Sequence, residues 1–453
     1  MRRQGCWRTL TIALAILSVA AATAQAQWSA PIQCSNSPKI FSYWQFYDFD
    51  ANGNIHICWR NWDDGIPDIY YANNTSGTWN QSKINNAKNN ILVITPDQVI
   101  HYFWMNNDQI YEQTKPVSGG TWSSPVRVDA NPSGGFIQDV IVDPSGGIYF
   151  SWGHLFDSSW TPPSGAYGRY KPLGGNWGPT EFIQGISNDV WPQNLQLQAR
   201  DNKIYASYRL TNYSSGARYK VRENGVWSSE KLVTTNAYSC NLALSPTGEI
   251  ACVYFNPDPT PESGTDWNVY AMFSGDGGIT WGPEVVVRDY GDLQRHCLAV
   301  YDDHGNLHVA WEGRDTESSH FNLYLRSRIG CVWQPVEMIH PDTGITPKAL
   351  HVYNNTLWCT YSAKPTGESN TQVFLKYKNL SNDWTSPGPV TQLTAIGGEN
   401  RVTLSWRNPP DADFLATVVR ASTTGYPSGP FKDREVCVKV GSPNATDSYV
   451  DYR

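Results

Sequence analysis

Four arginines, Arg60, Arg209, Arg295 and Arg314, stand in short irregular runs rich in acidic and aromatic residues. A guanidinium is a planar fork that binds a carboxylate through two parallel hydrogen bonds, so convergent arginines suit an anionic sugar. Acid–base partners lie close by in the same runs. Hydrolysis of a glycosidic bond normally needs two carboxylates flanking it, and Glu312 and Asp315 together with Asp63 would supply them. Histidine-assisted elimination would instead use His154 and His296, with Tyr213 or Tyr238. Trp62, Trp160 and Trp191 are candidate platforms on which a sugar ring could stack. The competing structural reading is that the arginines pair with Asp63, Asp64 and Asp315 on a solvated rim, where ion pairs mean little.

These residues are positioned by a repeat. A segment that begins with Ile or Leu and ends four residues later in Trp or Tyr recurs seven times, closing on Trp59, Trp104, Trp152, Tyr208, Tyr254, Trp311 and Tyr361. Most copies follow a tight turn such as Asp143-Pro-Ser-Gly146 or Asp302-Asp-His-Gly305, which joins antiparallel strands. A second motif, Trp followed within three residues by Pro and then a short apolar run, alternates with the first, from Trp28 to Trp384. Each unit therefore reads as four strands: a, the turn, b ending in the aromatic, c, and d opened by the Trp. Four-stranded units at a period of about 50 residues are the signature of β-propeller blades. The fold expected is all-β, a seven-bladed β-propeller over residues 27–390. The extra d-like segment at Trp28 is expected to close the ring against the last blade, with Trp384 leading outward. Thr394 to Arg407 alternates strictly and opens a different unit over 391–453, which resembles part of a fibronectin type III β-sandwich.

Composition agrees with many short aromatic strands: 20 Trp, 25 Tyr, 37 Gly and 29 Pro against 4 Met. The formal net charge of −7 argues against nucleic acid as a partner, since phosphate binding needs a basic face. Residues 1–26 combine Arg2, Arg3 and Arg8 with an apolar run and Ala24-Gln25-Ala26, a cleavable export signal of bacterial type. The mature chain is expected to be secreted, without a membrane span, and monomeric. Of nine cysteines, eight follow the leader; buried thiols or one or two bridges both fit an ordinary core. Asp48-Phe-Asp50-Ala-Asn52-Gly53 matches the first half of a calcium loop, but Trp59 occupies the twelfth position where a bidentate Glu belongs. No cofactor is expected, with calcium at this half loop as the alternative reading.

Ser274-Gly-Asp276-Gly-Gly-Ile-Thr-Trp281 completes the argument. With the four-strand units and the run Asp302 to Asp315, it resembles the sialidase-like propellers that carry bacterial neuraminidase (Asp-box) repeats, over residues 28 to 390. The box itself is a structural turn: Asp276 accepts backbone N–H groups and the glycines permit positive φ. The resemblance implies a carbohydrate-active propeller, first a glycoside hydrolase of sialidase-like type acting on an acidic glycan. The alternatives are a non-catalytic lectin and a polysaccharide lyase cutting uronic acid linkages. Sialidases of this kind have six blades, an early Arg-Ile-Pro segment and several boxes, whereas this chain has seven repeats, no such segment and one complete box. Because the box marks a c–d turn, the site is expected at the opposite end of the blades, on the b–c and d–a loops.

Overall fold

The computed structural model describes residues 27–36, 41–62, 65–129, 135–154, 164–185, 192–210, 216–257, 267–288, 293–314, 321–341, 349–365, 370–380, 389–398, 401–411, 414, 416–421 and 434–452. The leader and Trp384 lie outside these residues. The described chain is all strand and turn, and among the described residues no helix is long and apolar enough to cross a membrane.

Antiparallel sheets follow one another along the chain. The first comprises Phe41–Phe49, Ile55–Trp62, Asp68–Asn73 and Asn80–Asn86; the second Asn89–Ile94, Val99–Asn106, Gln109–Pro116 and Val126–Arg127. The third comprises Phe136–Val142, Ile148–His154, Gly165–Lys171 and Glu181–Gly185. In the fourth, Pro192–Arg200, Lys203–Leu210 and Ala217–Glu223 are followed by Val226–Trp227 and Lys231–Thr234, which both pair with the c strand. Asn241–Leu244, Ile250–Pro257, Trp267–Ser274 and Val285–Arg288 form the fifth sheet. The sixth has Leu293–Tyr301, Leu307–Arg314 and Asn322–Ile329, with Val332–Trp333 and Glu337–His340 on its c strand, and a single parallel bridge, Trp267↔Leu293, joins it to the fifth. The last has Ala349–Tyr353, Thr356–Ala363 and Gln372–Asn379, and its outer strand is Ile32–Gln33 from the N-terminus, in register Ile32↔Leu375.

The a strands of successive sheets touch in an unbroken circuit, and the a strand of the last sheet meets that of the first. A closed ring of four-stranded sheets is a β-propeller. Stacking buries both apolar faces of each sheet: the b-strand aromatics Trp59, Trp152, Tyr208, Tyr254, Trp311 and Tyr361 are fully buried. Beyond the ring, Thr391–Gly398, Arg401–Arg407 and Thr446–Tyr452 form one small sheet, and Ala416–Ala421 with Arg434–Val440 another. Trp406 is buried there, its indole N–H bonded to Asn408 Oδ1 at 2.9 Å.

Neighbouring sheets share few ladder bonds, so side chains fasten them. Arg169, Lys220, Arg326 and Lys376 occupy the same place on four c strands, opposite the residue two before the b-strand aromatic. Each donates to a d-strand or adjoining carbonyl of the preceding sheet: Val128, Ile183, Val287 and Ile339 respectively, at 2.5–2.8 Å. Two residues further along those strands, Lys171, Arg222, Arg328 and Lys378 meet the carboxylates of Glu112, Glu181, Glu249 and Glu337. Glu112 also accepts the Trp177 indole at 2.7 Å and the His101 imidazole at 2.6 Å. Burial alone would raise its pKa, but these hydrogen bonds and the Lys171 charge hold it down to about 2.

The Asp box does a related task. Asp276 accepts from Ile279 N, Thr280 N and Thr280 Oγ1, tying the turn to itself. Tyr219 of the fourth sheet then donates to Gly278 O at 2.8 Å. Gly278 has φ +84°, and a Cβ there would sit 2.0 Å from the Tyr219 hydroxyl, so only glycine fits. In the half calcium loop the carboxylates accept from backbone N–H groups: Asp50 from Asn52 N and Asn54 N, and Asp48 from Phe49 N and from Ile94 N of the second sheet.

Two outcomes follow for stability. Lys220→Met keeps the stem but leaves the Ile183 carbonyl without its donor, which should cost about 1–2 kcal/mol in urea denaturation; an unchanged midpoint would remove the fastening role. Glu112 is depressed in the folded state, so its contribution is complete above the ordinary glutamate range and disappears as pH falls from about 4.5 towards 2. Thermal melts across that window should show the wild type losing more stability than Glu112→Gln, which starts lower at neutral pH.

Candidate functional site

The b strand of the sixth sheet leaves its aromatic, Trp311, and delivers Glu312, Gly313 and Arg314 to the loop end. The a strand beside it runs Leu293, Gln294 and Arg295 in register with Arg314, Gly313 and Glu312, and then bulges before Leu298. His296 sits in that bulge with φ 51°, a left-handed conformation that non-glycine residues adopt rarely and that clusters at functional sites. A bulge re-aims a side chain, and here it turns the imidazole onto the neighbouring strand. His296 Nδ1 lies 2.9 Å from Glu312 Oε2, and Arg295 Nη2 lies 3.3 Å from Glu312 Oε1.

The two partners differ sharply in exposure. The Glu312 side chain is 1% exposed while that of His296 is 43% exposed. Burial alone would raise the Glu312 pKa, but the His296 hydrogen bond and the charge of Arg295 hold it below the usual carboxylate range. An ionised carboxylate thus lies underneath an imidazole that reaches solvent. Its engagement of Nδ1 leaves Nε2 as the ring atom directed away from the carboxylate.

Arginines and aromatics extend this pair on both sides. Phe321 lies under the Arg295 guanidinium at 4.3 Å and the Arg314 guanidinium at 5.6 Å. On the other side the His296 ring is 6.1 Å from Phe255, which packs on Trp267. Trp267 makes an edge contact with Tyr238 at 4.4 Å, and the Arg209 guanidinium lies 5.2 Å over Tyr238. Gln294 anchors the floor by accepting the Trp311 indole N–H at 2.7 Å and donating to Arg314 O at 3.3 Å.

The structure therefore brings together six of the residues singled out above: Arg209, Tyr238, Arg295, His296, Glu312 and Arg314. Arg60, Trp62 and His154 sit on other sheets. Arg60 donates to Asn89 Oδ1 at 3.3 Å, Trp62 to Gly65 O at 2.7 Å, and buried His154 makes an edge contact with Tyr167 at 6.3 Å. Asp63, Trp160, Trp191, Tyr213 and Asp315 lie outside the described residues. Three aromatics of the row, Phe255, Trp267 and Phe321, are not among the residues singled out from the sequence; Phe255 directly follows the b-strand aromatic Tyr254 within Ile250–Pro257 and reads there as core. Trp267 opens the fifth c strand, and Phe321 directly precedes the sixth. Each stands at the far end of a b–c loop, and an aromatic at that place was the available signal.

Among the described residues no group of three or more His, Cys, Asp or Glu is placed to hold a metal ion. An open groove lined by Lys203, Tyr205, Trp227, Lys231 and Gly277 lies among the c–d turns, at the opposite end of the strands from this cluster.

No family model matches the chain, and no curated protein matches it either. Among solved structures, the α-L-arabinofuranosidase of Fusarium graminearum is 13% identical, with 78% of this chain and 98% of that chain covered and a TM-score of 0.47. The polysaccharide lyase Uly1 is 8% identical over 78% of this chain and 92% of its own, with a TM-score of 0.49. The β-propeller domain of the Trilobed protease from Pyrococcus furiosus is 10% identical, covering 78% and 100%, with a TM-score of 0.48. None of these similarities carries an activity over to this chain.

Glu312→Gln removes the charge that both Arg295 and His296 share. Because those two partners reach solvent, the loss is discounted from that of a fully buried pair to about 2 kcal/mol at neutral pH. Urea denaturation at pH 7 reads it directly, and a variant as stable as the wild type would show that the carboxylate does not organise this end of the sheet.

Proposed function

We propose that this chain is an exported, seven-bladed β-propeller with a fibronectin-like tail that acts on an acidic glycan at the loop end of its fifth and sixth blades. The single observation that supports this most is the exposed His296 held in a bulge above buried, ionised Glu312, with arginines on both sides. A glycan-processing site needs a proton-transfer group at the surface and cations for an acidic sugar, and both are present in one row.

Of the two reactions open to such a site, the geometry favours elimination over hydrolysis. Hydrolysis needs one carboxylic acid able to hold and deliver a proton, and Glu312 is held below the usual carboxylate range, against the effect of burial, by the His296 hydrogen bond and the Arg295 charge. Elimination next to a uronate needs a base at the C5 proton. The C5–H bond breaks, a C4–C5 double bond forms, and the C4–O bond to the leaving sugar breaks as its oxygen takes up a proton. In this reading His296 removes the C5 proton and Glu312 fixes its tautomer and orientation. Arg209, Arg295 and Arg314 neutralise charge as it develops on the carboxylate, and Tyr238 supplies the proton to the leaving oxygen.

Hydrolysis of the sialidase-like kind remains the second reading, with Asp315 or Asp63 as the second carboxylate. A panel of uronate polysaccharides and sialosides separates the outcomes. Elimination raises reducing ends and the ultraviolet absorbance of unsaturated uronate together, and His296→Ala should lower kcat by about 100-fold or more with the fold intact. Reducing ends without absorbance would replace elimination by hydrolysis. Binding without turnover across the panel would make the propeller a lectin.

A further inference from the structure

The fifth sheet holds a pair of thiols that the site does not use. Cys240 lies just before the a strand and Cys252 in the b strand, where Leu242 is its direct neighbour in register. Their sulfurs are 3.6 Å apart, and the side chains are 1% and 0% exposed within one apolar cluster. The Cys240 thiol donates to Arg218 O of the fourth sheet at 3.4 Å. A third thiol, Cys297, lies on the sixth sheet, bonded to Asn241 Nδ2 at 3.3 Å and Ser239 Oγ at 3.7 Å. Two sulfurs in van der Waals contact need only a small approach to reach bonding distance, whereas Cys297 is turned to polar partners.

We propose that Cys240 and Cys252 are a disulfide site, closed when the chain folds in the presence of a low-molecular-weight disulfide. One cysteine thiolate attacks the small disulfide, forming a mixed disulfide and releasing one small thiol. The second cysteine thiolate then attacks the protein sulfur of that mixed disulfide, closing the bridge and expelling the second small thiol. Two protein thiols are oxidised and one external disulfide is reduced to two thiols. The sulfurs must approach from 3.6 Å to roughly 2.0 Å. Cys240 lies just outside the strand ladder, with its carbonyl accepting from Ser207 Oγ at 3.1 Å, so the movement falls to side-chain rotation about it with a small backbone shift.

The timing follows from burial. Neither thiol is accessible once the ring has closed, so the bridge forms before the fifth sheet packs against the fourth and then stays out of reach of reductant. It closes a short loop, with the two residues twelve apart in sequence. That loop contains the Ser245 to Gly248 turn and Glu249, which receives Tyr301 and Arg328 of the sixth sheet. The covalent tie therefore braces the joint between the sheets that carry Phe255 and His296. Cys297 is left as an unbridged neighbour.

The test compares chain refolded from the reduced, denatured state in a reduced/oxidised glutathione buffer with chain refolded in dithiothreitol. Each sample is denatured, alkylated with iodoacetamide and mapped by mass spectrometry. The expected result is two fewer alkylated cysteines in the glutathione sample and a single linked peptide pair joining Cys240 to Cys252. The oxidised sample should also melt a few degrees higher, as expected for a short covalent loop. Cys297→Ala should keep the link and the difference in melting, while Cys252→Ala should abolish both. Complete alkylation of the glutathione sample, or a link from Cys252 to Cys297, would overturn the proposal. Loss of the link in Cys297→Ala would do the same.

Discussion

A propeller must hold sheets face to face although they share almost no backbone ladder, and in this chain the fastening is done by cations reaching across to carbonyls. Arg169, Lys220, Arg326 and Lys376 each extend from a c strand to a buried peptide oxygen on the sheet before it. A buried carbonyl left unpaired is expensive, and a charged donor makes a stronger bond than a neutral one. The contact is also directional, so it sets how far one sheet slides along the next. The second cation of each pair, two residues on, adds a carboxylate partner and makes the fastening two-point. Apolar packing supplies most of the attraction between sheets, but it is tolerant of sliding. The polar pins fix the register, and on that register depends whether loops from different sheets meet at all.

The candidate site depends on this register. Its row of contacts passes from the fourth sheet, through Arg209, to the fifth, through Tyr238, Phe255 and Trp267, and on to the sixth, through His296, Glu312 and Arg314. A shift of one sheet by a residue step would move the aromatic rings out of contact with the imidazole. The sixth sheet is held on one side by Arg326 to Val287 O and by Arg328 to Glu249. The left-handed turn at His296 is a local strain that a loosely held strand would relax. It persists because Leu298, Val300 and their neighbours are paired in the ladder beyond the bulge.

Much of this was legible in the sequence, and the reasons for the rest are specific. The b-strand aromatic and the turn before it repeat visibly, because burying a ring between sheets imposes the same residue type at the same place. Strand order within each unit followed from those marks, as did the joining of Ile32–Gln33 to the last sheet. The basic-x-basic pairs Arg169-Tyr-Lys171, Lys220-Val-Arg222, Arg326-Ser-Arg328 and Lys376-Tyr-Lys378 were equally visible. They carried no meaning until the register showed that each occupies the same slot opposite its b strand. The site was only half legible. Sorting by loop placed Arg209, Tyr238, Arg295, His296, Glu312 and Arg314 in the candidate set, but it could not tell that Glu312 lies beneath His296. A bulge changes which face a residue meets, and nothing in the residue types around His296 announces one.

The Asp box belongs to the same problem of fastening. The fifth sheet has Met272 and Ser274 in the two slots that hold cations elsewhere, so it lacks the basic pair. It is the sheet that carries the complete box, and the box presents Gly278 O to the Tyr219 hydroxyl while Trp281 packs edge-on against the same ring. The direction of bonding is reversed: here the earlier sheet donates and the later sheet accepts. The second sheet is intermediate, with one cation, Lys115, over the rings of Tyr71 and Trp122 rather than on a carbonyl. A turn stiffened by Asp276 is needed for the box version because a loop carbonyl, unlike one within a strand, has no ladder to hold it still. In this chain the box and the basic pair are two solutions to one mechanical requirement.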